Sequence, residues 1–171
     1  MGVVIAGVLV LAALLISAAI IFNGLIGASN IQGLSMAQLS ETRAKQLATS
    51  ISITGTSASD SGGVTDITVI VKNTGSTSIS NFTNVDVVVD YPDASDSKVV
   101  TRLTYVVSSP GSNQWTVSGL SPDTFDPNIW SPDEVATLDL KVSPQVKSAA
   151  SGTVVVATPY GVLDLAYFTN S

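Results

Sequence analysis

An unbroken apolar run at the N-terminus, a helix-spaced stretch behind it and a series of period-two segments from Ser50 onward predict two parts: a long N-terminal α-helix and an antiparallel β-sandwich head. The boundary is expected at 50/51, with residues 1–50 as the hydrophobic helix and 51–171 as the head.

The chain opens MGVVIAGVLVLAALLISAAIIF, and from Val3 to Phe22 nothing is more polar than glycine and Ser17. At about 1.5 Å per helical residue this rod spans roughly 30 Å, the hydrocarbon thickness of a membrane. Val, Leu, Ile and Ala occupy every side, so it is not an amphipathic helix packed on a globular core. It must be surrounded by apolar matter, either lipid or other copies of itself. The residues expected to mediate self-assembly are Val3, Val4, Ile5, Val8, Leu9, Leu11, Ala12, Ala13, Leu14, Leu15, Ala18, Ala19, Ile20, Ile21 and Phe22.

No Lys or Arg precedes the rod and the first charge is Glu41, which does not fit a cleaved secretory signal. Arg43 and Lys45 lie too far beyond it to orient a simple anchor. A basic leader already removed would explain the bare flank, whereas Met1 equally fits an unprocessed start.

After Phe22, Gly24, Gly27 and Gly33 weaken a helix without a proline to stop it. From Met36, Leu39, Arg43 and Leu47 recur at helical spacing among good helix formers, so one helix is expected to run to about Ser50, kinked near the glycines. The alternative is a flexible glycine joint between rod and head.

Eight strand candidates follow: SISIT, VTDITVIVKN, NVDVVVDY, KVVTRLTYVV, QWTVS, VATLDLKVS, TVVVATP and GVLDLAYF. Turn chemistry separates them in SDSGG, NTGS, YPDASDS, SSPGSN, SPDTFDPN and SPDE. That number of short strands in a head of this size fits a sandwich of immunoglobulin-like type. Its interior is expected to hold Val69, Val71, Val87, Val89, Leu103, Tyr105, Val155 and Trp130. Trp115 and Trp130 read as buried structural aromatics, with a surface contact as the alternative.

Composition removes much chemistry. The chain has 171 residues, a net charge of −6, seven basic residues, and no Cys or His. There is no thiol nucleophile, imidazole base or Cys/His metal site, and no disulfide to stabilise it. The acidic balance argues against nucleic acid as a partner. No SxxK, GxSxG, GxGxxG or Walker pattern is present, so an enzyme is not expected.

Two motifs carry other chemistry. Asp90, Asp93 and Asp96 supply oxygen ligands of the kind Ca²⁺ takes, but the loop lacks the glycine and final Glu of an EF-hand, and a solvated turn is the plainer reading. Asn81-Phe82-Thr83 matches the N-glycan acceptor tripeptide between two strands.

The segments ITVIVKNTGSTSI, VDVVVDY, NIWSPDE and VVVATPYGVLDLAYF, with the order rod, helix and Thr/Val/Ser-rich sandwich, resemble the archaeal flagellins and their type IV pilin-like relatives along the whole chain. The resemblance implies a leader removed by a prepilin-type peptidase. It also implies a rod that sits in the membrane and then packs into a filament core, assembled by archaellum or pilus machinery. The product would be an extracellular homopolymer on an archaeal cell, for motility or adhesion, without cofactor except a possible N-glycan. Ile5 departs from the Glu that bacterial pilins carry at that position. The resemblance fits equally a membrane-anchored accessory stator protein whose sandwich binds the S-layer. A third expectation is an unrelated surface binding module, for which any apolar helix of equal length would serve.

Overall fold

The structure, a computed structural model, describes residues 17, 36–123 and 126–171. Every rod residue named above for self-assembly lies outside them, as do Gly24, Gly27 and Gly33. The chain divides into two units, Met1–Arg43 and Ala44–Ser171. Ser17 and residues 36–48, here α1, are helical. Among the described residues no helix is long and apolar enough to cross a membrane.

The second unit holds eight strands: β1 (Ile51–Ser61), β2 (Val64–Asn73), β3 (Asp86–Pro92), β4 (Lys98–Tyr105), β5 (Gln114–Ser121), β6 (Val135–Val142), β7 (Ser151–Ala157) and β8 (Leu163–Thr169). Each overlaps one expected segment. Their order, β1-β2-β6-β5-β4-β3-β7-β8, folds into a sandwich-like sheet with β1-β2-β6-β5 as sheet 1 and β4-β3-β7-β8 as sheet 2. Neighbours within each sheet are antiparallel. The join between sheets departs from the expected pattern, because β4 meets β5 in parallel, through only Thr104↔Gln114 and Tyr105↔Trp115. At the other end a parallel bridge from Ala58 to Asn170 brings β1 beside β8.

Alternation decides what lies between the sheets. Val69, Val71, Val87, Val89, Trp115 and Trp130 are buried, as expected, with Ile67, Leu138, Leu140, Val142, Val154 and Val156. Tyr105 is half-buried against the core and stacks at tilted angles on Phe82 and Trp115, with centroids 6.0 and 4.9 Å away. Val155 is a correction: its side chain points outward and is half-buried, while Val154 and Val156 on either side fill the interior.

A second correction concerns β1, which continues past Thr54 to Ser61. The expected SDSGG turn shrinks to Gly62 and Gly63, both at positive φ (61° and 89°), the geometry of a two-residue hairpin loop.

Candidate functional site

The two turn motifs NTG and WSPDE lie against each other. Asn73, the last residue of β2, is fully buried. Its main-chain N–H donates to the Glu134 carbonyl at 2.9 Å and its carbonyl accepts from Asp133 N–H at 2.8 Å. Its side-chain Nδ2 donates to the carbonyls of Thr77 (2.9 Å) and Trp130 (3.2 Å), while Oδ1 accepts from Gly75 N–H at 3.1 Å. Only an amide of this length supplies two donors and an acceptor here.

WSPDE folds as it does for local reasons. Pro132 and Asp133 occupy the central positions of a turn closed by Glu134 N–H donating to the Ser131 carbonyl at 3.2 Å. Asp133 has φ +65°, a left-handed conformation that Asp tolerates better than most side chains. Glu134 is buried, and its Oε2 accepts from Ser131 N–H at 2.8 Å. The Trp130 indole donates to the Glu134 carbonyl at 3.0 Å. An ion pair of Lys72 with Asp133 at 2.9 Å spans the two motifs at the surface, where such pairs contribute little.

The same NTG turn grips the end of α1. The last carbonyls of any helix lack intrahelical donors. Here Thr74 and Gly75 N–H both donate to the Ser50 carbonyl at 2.9 Å, and Ser76 N–H donates to the Ala48 carbonyl at 2.8 Å. A Cβ added to Gly75 would stand 2.4 Å from Ser50 N and 2.6 Å from the Ala48 oxygen, so the close approach requires glycine. The head therefore holds residues 48–50 by hydrogen bonds, while the joint expected at Gly24, Gly27 and Gly33 lies outside the described residues.

Opposite ends of the strand order are stitched by side chains. Asp164 Oδ2 accepts from Ile53 N–H at 2.7 Å, and the Thr56 hydroxyl donates to the Tyr167 carbonyl at 2.8 Å. Buried Asn170 donates to the Val146 carbonyl at 2.9 Å and to Asp60 Oδ1 at 2.8 Å, and this last bond holds the Asp60 carboxyl below its usual pKa.

The three loop aspartates do not converge. Asp90 pairs with Lys98 (3.0 Å) and Asp96 with Lys147 (2.6 Å). Asp93 caps its own turn, accepting from Ser95 N–H, Ser95 Oγ and Ser97 N–H, bonds that lower its pKa. Among the described residues no group of three acidic or other ligating side chains is placed to hold a metal ion. Asn81 is exposed and caps a 3-10 turn at Phe82–Asn84, its Oδ1 accepting from both the N–H and the hydroxyl of Thr83.

A family model described as archaeal-type flagellin matches residues 2–168. No curated protein matches the chain. Among solved structures, the archaeal flagellum of Methanospirillum hungatei strain JF1 is similar with a TM-score of 0.62 at 14% identity, covering 98% of this chain and 93% of that one. The archaellum periplasmic stator protein FlaG of Sulfolobus acidocaldarius gives a TM-score of 0.49 at 23% identity over 70% of this chain and 99% of its own. The FlaF and FlaG stator complex of the same organism gives 0.49 at 19%, over 69% and 87%. Matched by the family model over nearly its whole length, the chain belongs to the archaeal-type flagellins.

Proposed function

We propose that this chain is a subunit of an extracellular archaeal filament, assembled by bundling of the N-terminal rods with the sandwich heads outside. The observation that carries this reading is the extent of the family match, which takes in rod and head together. Flagellins are structural proteins and not enzymes. Likeness to the Methanospirillum flagellum supports the fold that the reading needs.

Before assembly the rod sits in lipid. Burying one Val, Leu or Ile contributes about 1.5–3 kcal/mol relative to water. Transfer from lipid to protein yields much less, so close packing must supply the difference, and Gly7, Ala12, Ala13, Ala18 and Ala19 let backbones approach. Identical subunits joined by unlike surfaces grow as an open helix.

The test is negative-stain electron microscopy of filaments sheared from cells making the full chain, with mass spectrometry of the N-terminus. Long uniform filaments with this chain as the major species are expected. Single membrane-bound copies enriched with S-layer fragments would replace the reading by a stator.

A further inference from the structure

The two outer faces of the sandwich differ in kind. Register places Ser57, Thr68 and Asp139 across sheet 1, and Ser59, Asp66 and Lys141 in the next row. Sheet 2 is the more apolar face: Leu165, Val155 and Val88 form one row, which ends in Arg102, and Tyr167, Thr153, Asp90 and Val100 form another. Tyr167, Val100, Leu163 and Leu165 are 73, 61, 57 and 49% exposed. Contiguous exposed apolar side chains of this kind mark contact surfaces.

We propose that this face of sheet 2 is the surface by which each head touches a second copy of the chain in the filament, an inference that rests on the filament reading above. Charge selects the occupant. A chain of net charge −6 opposes the close approach of its own copies. On this face, however, each carboxylate is already matched, Asp86 by Arg102 and Asp90 by Lys98. Copies can meet here without bringing unmatched carboxylates together. The same pairing leaves no surplus cation for anionic lipid and no surplus anion for a basic partner. Because an open polar helix joins unlike surfaces, the face meets a different part of the neighbouring head.

The chain contains no cysteine, so a single Tyr167→Cys or Leu165→Cys carries the sole thiol. Full-chain filaments and the same filaments dissociated in detergent are labelled with a maleimide dye, with Ser57→Cys on the opposite face as control. Since an interface core excludes solvent, labelling at Tyr167→Cys and Leu165→Cys is expected to slow about tenfold or more in filaments, and at Ser57→Cys to change little. Equal labelling in both states, equal protection on both faces, or disulfide-linked homodimers through Leu165→Cys would each overturn the inference. Tetranitromethane treatment of the wild-type chain reads the same surface without a variant: Tyr167 is expected to be nitrated in dissociated subunits and spared in filaments, and nitration in both overturns it. Absence of wild-type filaments would instead defeat the filament reading.

Discussion

The side-chain amide of Asn73 donates to the main-chain carbonyl of Trp130 at 3.2 Å, a bond between the last residue of β2 and the first of the WSPDE segment. With its bonds to Thr77 and Gly75, it makes one buried amide the meeting point of two loops. Asn73→Leu leaves those groups without partners, and each buried orphan costs about 1–3 kcal/mol. Denaturation of the full chain in detergent should show a correspondingly lower midpoint; an unchanged midpoint would mean that water replaces the amide.

Gly75→Ala drives a Cβ into main-chain atoms of residues 48–50, which cannot yield as a flexible side chain would. Overpacking of this sort costs about 1–3 kcal/mol. Faster tryptic cleavage after Lys45 is expected, together with lower filament yield. Ser76→Ala, which leaves the main-chain bond to Ala48 intact, serves as the mild comparison.

Gly152 lies beneath a core ring, and a Cβ there would stand 2.4 Å from Phe168 Cζ and 2.8 Å from Cε1. Gly152→Ala alone should destabilise strongly. Combined with Phe168→Leu, part of that loss should return, giving a coupling of about 0.5–3 kcal/mol in a double-mutant cycle. Simple additivity would place the strain at the Asp90 carbonyl, 3.0 Å from the same point.

Tyr91 and Asp93 set the expected pH limits. The Tyr91 hydroxyl donates to the Pro144 carbonyl at 2.8 Å, and burial, aided by the Asp93 charge, pushes its pKa from 10.0 up to about 12. An unfolded chain then ionises first, so stability is fully present below pH 10.0 and falls as pH rises toward about 12. Asp93 behaves oppositely: the Ser95 hydroxyl and the Ser97 N–H hold it below 3.8, so its contribution is present above that value and is lost as pH falls through the folded pKa. Melting curves across pH should show both slopes, with Tyr91→Phe flattening the alkaline one and Asp93→Asn the acid one.

Asn81 is exposed and bonded to Thr83 in the acceptor tripeptide. Mass spectrometry of filaments from the native host is expected to find the peptide containing Asn81 heavier by a glycan, and Asn81→Gln or Thr83→Ala to return it to its calculated mass. An unmodified wild-type peptide would remove the assignment.

Strands were legible wherever polar residues fixed the phase of alternation. In DVVVD, Asp86 and Asp90 force Val88 outward, so the sequence itself points Val87 and Val89 inward, where they lie. In TVVVA no flanking charge sets the phase, and the sequence alone does not reveal that Val154 and Val156, and not Val155, face inward. Of the second half of β1, GTSASDS, only Ala58 is buried, so its strand character comes from pairing with β2 and not from its own pattern. The parallel meeting of β4 and β5 depends on closure of the whole sandwich, which no local window contains. Gly75 was visible as a turn residue, but its requirement lies in main-chain atoms some twenty-five residues upstream.

The grip on residues 48–50 has a mechanical consequence. A pull on residues 48–50 is shared between the peptide chain running into β1 and the bonds by which Thr74, Gly75 and Ser76 hold two carbonyls side by side, with Asn73 bonded in turn to Gly75 and to Trp130. Bonds arranged abreast share a force and must fail together, whereas bonds in line fail one after another. The NTG turn is therefore a stiff clamp at the point where the end of α1 leads into β1.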